Sequence, residues 1–358
     1  MNLLTKRTLG ISAALVGVAA AGVAAELVGR RRQSRRLEAG EEIPFGSLHS
    51  EPQPVVASDG VRLHVEVDEP DVPVDPAVPD GSRLRGSQAH SLPLTVVFAH
   101  GWVLDLDSWH FQRAALRGRV RMVFYDQRSH GRSQRSTRKG SNFDQLGRDL
   151  RDIIEATTPD GPVILVGHSM GGMTIMSLAE QFPDLVRERV AGVLLCGTSA
   201  GGLLPPGTPL RRAQPVVENL AVAITPMLAV GRRLGSNRSS RRFTVGPDAP
   251  VEYAEMTAQM LRRTHTHVLL DFLPNFGRLD AYEALAALPG EATVVVSGTH
   301  DQITPHKHSQ RIVDRLPGAR LVVADRAGHM VQLERHELVT AVLEDLIEQA
   351  VETQQETA

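Results

Sequence analysis

Short apolar runs recur along most of this chain, at Leu94–Ala99, Arg121–Tyr125, Val163–Val166, Val190–Leu195, Thr293–Val296 and Arg320–Ala324, with helical patterning between them. Such alternation predicts a mostly parallel sheet with helices on both faces, an α/β fold. The rhythm breaks between about 201 and 284. There Pro205-Pro206, Pro215 and Pro226 punctuate helical stretches such as Val216–Thr225 and Val251–Arg263, so an inserted helical lobe is expected. Upstream, Val55–Val56 and Val61–Val67 flank Ser58-Asp59-Gly60 and read as a β-hairpin. Residues 69–93, rich in Pro, Asp, Gly and Ser, read as a loop insertion.

Composition adds exclusions. With 42% hydrophobic and 22% charged residues the chain is neither disordered nor collagen-like. Its one cysteine, Cys196, allows no internal disulfide and no thiolate metal cluster, and its place at the end of an apolar run marks a buried core thiol. A net charge of −2 offers no general attraction for nucleic acid. That balance hides an asymmetry, since residues 1–36 carry seven basic side chains against one acid, Glu26. Within them Thr8–Val28 holds 21 residues with one charge, a helix of about 31 Å, close to the hydrocarbon thickness of a bilayer. Arg30-Arg31-Arg32 directly after this run resists translocation. The expectation is a single N-terminal membrane anchor with the catalytic domain on the cytoplasmic side. The competing reading is a secretory signal cleaved after Val23-Ala24-Ala25, with the enzyme outside the cell.

The pattern Gly-x-Ser-x-Gly occurs twice, at Gly167–Gly171 and at Gly197–Gly201, so context must separate the two. The first follows Val163–Val166 and precedes a helix-forming stretch, Met173–Glu180, which is the strand–turn–helix setting of an exposed nucleophile. The second runs into Leu203-Leu204-Pro205-Pro206, which cannot start a helix, so Ser199 reads as a loop serine where the lobe begins. Side chains at Gly167 and Gly171 would collide with the neighbouring strand and helix. The same turn aims the Met170 amide toward developing negative charge.

Taken with His100-Gly101-Trp102, Asp126-Gln127-Arg128-Ser129-His130-Gly131-Arg132-Ser133, Gly298-Thr299-His300-Asp301 and Gly328-His329, this elbow resembles the α/β-hydrolase superfamily, specifically its capped serine-hydrolase, esterase- and lipase-like branch. The resemblance covers about residues 51–358. It implies a mostly parallel eight-stranded sheet and the chain order Ser…Asp…His, met by Ser169 as nucleophile, Asp301 as acid and His329 as base. It also implies a second oxyanion amide from Trp102, whose indole is placed on the substrate side of the site together with His168, a residue read as packing rather than catalytic. Ser129 departs from the glycine usual after the arginine. Asp126 and Arg128 are expected to hold their loop through an ion pair or hydrogen bonds. His300, His306, His308 and the pair His265 and His267 lack the spacing of a zinc site, so no metal and no cofactor are expected.

The expected organisation is an anchor or signal over 1–36, a linker over 37–52, a core over 53–200 and 285–358, and a cap over 201–284. The expected activity is hydrolysis of carboxylic esters through an acyl-enzyme, on a small-molecule or lipid ester such as a monoacylglycerol-like substrate. Serine at 169 argues against epoxide hydrolases and dehalogenases, which need aspartate there. Cofactor-free perhydrolysis or haloperoxidation, acyl transfer, and a non-catalytic ligand-binding scaffold stay open. Leu220, Val222, Ile224, Leu228, Met256, Met260, Leu269 and Leu270 either line a lipophilic pocket or pack the lobe onto the core. Nine arginines and no lysine against five acids over 201–275 suit a face near anionic lipid.

Overall fold

The computed structural model describes residues 43–71, 94–203 and 243–357. The apolar N-terminal segment, most of the 69–93 insertion, the stretch Val216–Thr225 and most of the lobe around it lie outside the described residues. Among the described residues no helix is long and apolar enough to cross a membrane.

The chain begins with a hairpin of β1 (Val55–Val56) and β2 (Arg62–Leu63). It continues through β3 (Val65–Asp68), β4 (Thr95–Ala99), α1 (His110–Leu116), β5 (Arg121–Tyr125), α2 (Phe143–Thr157), β6 (Val163–His168), α3 (Met170–Gln181), α4 (Pro183–Arg189) and β7 (Val190–Cys196). Further along come α5 (Val251–Arg263), α6 (Thr266–Phe276), β8 (Thr293–Gly298), α7 (Lys307–Val313), β9 (Arg320–Ala324), α8 (Val331–Glu334) and α9 (His336–Thr357). Every expected apolar run is a strand, and α5 spans the expected residues. Among the described residues the main sheet has seven strands, where eight were expected, in the order β3-β5-β4-β6-β7-β8-β9, with β3 alone antiparallel. The difference lies in Val61–Val67, which divides at His64. Arg62 and Leu63 pair with β1, whereas Val65–Asp68 pairs with β5.

Period-two alternation sorts the strand residues into two cores. Val97, Val123, Leu165, Val193 and Val295 face Ile153 and Ile154 of α2 and Ile175 and Leu178 of α3. Phe98, Phe124, Val166, Leu194 and Val296 face Leu116 of α1 and Val339, Leu343 and Ile347 of α9. Each such side chain, buried, contributes roughly 1.5–3 kcal/mol. The order also locates the site. From β4 the chain steps to β5 on one side and then crosses back to β6 on the other, so the C-terminal ends of β4 and β6 flank the switch point where open α/β sheets bind ligands.

Polar ties fix the periphery. On β3 the alternation puts Val65 and Val67 in one core and Glu66 and Asp68 on the opposite face, where Arg113 of α1 donates to Asp68 at 2.6 and 2.9 Å and to Glu66 at 2.7 Å. Burial alone would push the Glu66 carboxyl up, but hydrogen bonds from His64, the Ser50 amide and Arg113 hold it down at about 2. The stretch 43–52, expected as linker, is packed on this face. His49 and the Ser50 amide bond Glu66, the Ser50 hydroxyl bonds Asp68, and Phe45 packs against the His110 ring. Asp126 and Arg128 do not pair with each other. The buried Arg128 guanidinium instead bridges Asp149 of α2, at 2.6 Å through both Nε and Nη2, and Asp59 of the hairpin turn at 2.8 and 3.0 Å.

Removing one member of such a buried pair leaves the other charge uncompensated. Arg128→Met is expected to cost about 3–5 kcal/mol, read as a fall in the urea midpoint at unchanged slope. A loss under about 1 kcal/mol would show that the Asp59–Arg128–Asp149 bridge does not hold the hairpin to α2.

Candidate active site

Gly167 and His168 end β6 and Met170 opens α3, so Ser169 must reverse the chain in one residue. It does so at φ 52° and ψ −114°, a conformation an L-residue adopts only under strain. Close backbone approach holds it there. A Cβ on Gly171 would lie 2.0 Å from the Ala99 carbonyl oxygen, one on Gly172 2.6 Å from Thr198 Oγ1, and one on Gly167 2.6 Å from the Gly172 nitrogen. The collisions expected at Gly167 and Gly171 are therefore real, with Gly172 a third position that spacing did not mark. The turn is pinned by Ser169 N–H donating to the Cys196 carbonyl at 2.9 Å and by the Thr198 hydroxyl donating to the Ser169 carbonyl at 2.7 Å. Cys196 itself is fully buried, and burial raises its thiol pKa out of reach of thiolate chemistry.

The loops after β8 and β9 bring Asp301 and His329 together on the same sheet edge. His329 Nδ1 donates to Asp301 Oδ2 at 2.9 Å, which leaves Nε2 as the basic nitrogen. The other lone pairs of Asp301 are also used. Oδ1 accepts from the Ile303 and Thr304 amides at 2.8 Å each, and Oδ2 from the Thr304 hydroxyl at 2.8 Å. Burial pushes the Asp301 carboxyl up, but the His329 imidazole and the Thr304 donors outweigh it, so its pKa falls below 3.8. The β7 loop packs behind the pair. Gly197 lies so close that a Cβ there would sit 3.3 Å from Asp301 Oδ2 and 3.2 Å from the His329 carbonyl oxygen. Ser169, Asp301 and His329 are 7%, 5% and 6% exposed, which keeps water scarce without sealing them off.

Two supports were not visible in the motifs. His168 is fully buried and donates from Nε2 to the His329 carbonyl at 2.9 Å, with the two rings 4.8 Å apart. It therefore lies behind the base rather than on the substrate side, a correction that follows from its burial. Glu334 of α8 accepts from the Gly328 amide at 3.0 Å and from the Gly246 amide at 2.7 Å, tying the His329 loop to the stretch that leads into α5.

The loop after β4 is fastened from below. The Gln127 amide donates to His100 Nε2 at 2.9 Å, so His100 Nδ1–H faces the Gly101 carbonyl at 2.7 Å, and Gln127 Nε2 donates to the His100 carbonyl. Asp126 accepts from the Leu106 and Arg132 amides, the hydrogen-bonding role expected of it. Ser129 adopts φ 68°, the left-handed region glycine would favour, and its hydroxyl accepts from the Ser136 amide. Trp102 is half-buried. Its indole lies 5.1 Å from Phe276 and donates to the Val268 carbonyl at 3.4 Å. With Phe143, Met170, Met173 and Phe272 these residues form an apolar cluster beside the elbow. Met260, by contrast, is spent on packing α5 against Leu104 and Met330, whereas Leu269 and Leu270 stay half-buried.

Ser199 lies in the loop after β7 and is fully buried. Its hydroxyl lies 2.9 Å from the Gly201 carbonyl and 2.8 Å from His308 Nδ1. It has a histidine neighbour, but the described residues that follow it, 200–203, are not helical and its side chain is fully buried. Among the described residues no three His, Cys, Asp or Glu side chains converge as metal ligands.

A family model described as "Alpha/beta hydrolase family" matches residues 96–342. The dihydrolipoyllysine-residue acetyltransferase component of the acetoin cleaving system of Pseudomonas putida is 26% identical over 253 residues, 68% of this chain and 60% of that protein. The chain thus spans about three-fifths of that relative's length. The pimeloyl-[acyl-carrier protein] methyl ester esterase of Neisseria meningitidis is 27% identical over 199 residues, 53% of this chain and 70% of that protein. Among solved structures, a thermophilic esterase from Thermogutta terrifontis superposes with a TM-score of 0.63 at 20% identity, covering 84% of this chain and 99% of its own.

Three fully buried histidines, His100, His130 and His168, ring the site, and burial lowers their pKa values to about 4, 3 and 3, helped at His130 by His100 and at His168 by His329. Each contributes stability that is full above the unfolded value of about 6.5 and is lost as pH falls toward its folded value. His130→Asn removes one such titration, and the wild type's stability relative to this variant is expected to shrink by about 1.4 kcal/mol per pH unit below 6.5. Urea unfolding at pH 7, 6 and 5 reads this directly. A pH-independent difference would overturn the neutral, buried His130.

Proposed function

Because the chain belongs to the α/β hydrolase family and is an enzyme of hydrolase type, we propose that it cleaves carboxylic esters through an acyl-enzyme on Ser169. The observation that carries this reading is the strained, glycine-walled Ser169 on the same sheet edge as a His329 whose Nδ1 is held by an ionised Asp301. A serine hydroxyl is a weak nucleophile at neutral pH and gains force from such a base. In this reading Ser169 Oγ attacks the ester carbonyl as its proton passes to His329 Nε2, and Asp301 stabilises the imidazolium that forms. The resulting oxyanion accepts from the amides of Trp102 and Met170, the latter among the first helical N–H groups, which have no acceptor within the helix. Collapse expels the alcohol with the proton from His329. Water then repeats the sequence, losing its proton to His329 while Ser169 leaves the acyl carbon and recovers one.

The substrate class is a small ester with an apolar acyl part. The cluster of Trp102, Phe143, Met170, Phe272 and Phe276 beside the nucleophile supports the apolar acyl part, and the ester bond itself is the one cleaved by the pimeloyl-[acyl-carrier protein] methyl ester esterase that the chain resembles. The finer suggestion of monoacylglycerol-like lipids rests on the arginine-rich lobe and on the apolar, basic-flanked N-terminus.

Turnover of a chain-length series of chromogenic acyl esters by the full chain tests the reading. Ser169→Ala is expected to abolish activity, and Asp301→Asn to lower kcat about 10³–10⁴-fold. Ser199→Ala should leave kcat within about twofold, because its hydroxyl is occupied inside the core. Full activity in folded Ser169→Ala would sink the nucleophile assignment. A wild type that is acylated but passes the acyl group to alcohols or peroxide instead of water would make it a transferase or perhydrolase.

The N-terminal anchor has its own test. The protein recovered from cells is expected to keep its full mass and to stay with membranes through a high-salt wash. Loss of the first 25 or so residues would identify a cleaved signal, and release by salt a charge-held surface protein.

A further inference from the structure

The loop that follows β4 is held from above as well as from below. Arg263, in the last turn of α5, places Nη2 2.9 Å from Asp105 Oδ2 and 2.9 Å from Asp107 Oδ2. The next residue, Thr264, has its hydroxyl 3.0 Å from the Val103 carbonyl and 3.3 Å from that of Met260, and the Trp102 indole reaches the Val268 carbonyl. Three contacts thus run from one corner of the lobe, residues 263–268, to residues 102–107. The loop they meet is not at rest. Val103 is β-branched yet sits at φ 59°, a conformation that must be imposed by its surroundings.

Charge makes Arg263 the decisive contact. Asp105 and Asp107 are each 4% exposed and Asp126, which accepts from the Leu106 amide between them, is fully buried. Three carboxyl groups therefore crowd a space with little water. Facing them are Arg263 from the lobe, at 2.9 Å from both Asp105 and Asp107, His49 at 3.8 Å from Asp107 with His110 near it, and the Arg132 amide on Asp126, with the Arg132 guanidinium and His64 acting at longer range. Burial first, then Asp126 and Asp107, push the Asp105 carboxyl up, and Arg263 is the cation that pulls it back down. Without Arg263 the pair Asp105 and Asp107 loses its bridging counter-charge, and the segment that carries them is the one that presents the Trp102 amide.

We propose that Arg263 is a positioning residue for the oxyanion loop: by bridging Asp105 and Asp107 it holds Trp102 and Val103 in the one conformation that presents the Trp102 amide. These contacts fix the segment that presents the Trp102 amide from the side of α5 and α6. This rests on the ester-hydrolase reading above, in which that amide stabilises the tetrahedral intermediate.

The test separates the two claims. Arg263→Met keeps the length of the side chain and removes the charge. It is expected to lower kcat about 10–100-fold while KM stays within about threefold, and to slow phosphonylation of Ser169 by a fluorophosphonate in proportion, because that reaction needs the same donors. Arg263→Lys should recover part of the loss. The protein has two tryptophans, of which Trp109 is buried in the core and Trp102 lies in the loop, so the emission of Arg263→Met should shift to the red. Wild-type kcat with unchanged emission would overturn the proposal. So would a rise in KM at constant kcat, which would make Arg263 a substrate contact. If Arg263→Met fails to fold, Thr264→Val, which loses only the hydroxyl on the Val103 carbonyl, carries the same test with an expected loss of several-fold in kcat. Full turnover in Ser169→Ala would end the esterase reading, yet the emission change would still report on the Arg263 contact.

Discussion

The contact on which the rest depends is the approach of the α3 backbone to the end of β4, with Gly171 against the Ala99 carbonyl. Only a residue without a Cβ permits it, and it is what allows Ser169 to turn the chain between β6 and α3 in one step. Strain of this kind costs about 1–3 kcal/mol and persists only where the surroundings over-determine it. Here the surroundings are a strand whose side chains are all buried, a helix pressed onto it, and hydrogen bonds from Ser169 to Cys196 and from Thr198 to Ser169. The sheet core thus holds the serine in place, and the position of β6 beside β4 sets which loops can reach it.

Around that point the fold handles buried charge by pairing it across elements. Asp301 is saturated by His329, Thr304 and two amides, so it stays ionised where burial alone would neutralise it. Arg128 joins hairpin to α2, Arg113 joins α1 to β3, and Glu334 joins the His329 loop to the lobe. The same device recurs at Asp105 and Asp107 with Arg263. Where both partners are buried, as at Arg128 with Asp149 and Arg113 with Asp68, little water screens the attraction and the pair is correspondingly damaging to break. Both the base and the oxyanion loop are therefore linked to the lobe through carboxylates: Glu334 at one side, Asp105 and Asp107 at the other.

Much of this could be read before any coordinates. The strands were legible because residues buried on both faces leave continuous apolar runs, and the elbow because a nucleophile on a tight turn needs glycines at fixed offsets. The merit of Gly167–Gly171 over Gly197–Gly201 followed from what comes after each serine, a helix former in one case and two prolines in the other. The break of Val61–Val67 into two sheets was not legible, since both halves keep the same alternation. Nor was the role of His168, because a histidine inside a motif looks the same whether it faces substrate or the back of the base. The packing of 43–52 was hidden too: a polar stretch reads as linker unless one knows that it meets the buried Glu66 and Asp68.

The sequence alone determined the α/β alternation and the strand–turn–helix setting of Ser169, which depend on local pattern along the chain, while the expectation that Asp301 and His329 follow it in that order came from the resemblance to the α/β-hydrolase superfamily. Tertiary structure decided which charged groups pair. Arg128 with Asp59 and Asp149, Glu334 with Gly328 and Gly246, and Arg263 with Asp105 and Asp107 bring together residues that lie up to 158 positions apart. Nothing in the local sequence of an arginine names its carboxylate, because the partner is chosen by which strand ends and helix corners the packed sheet brings within 3 Å of it.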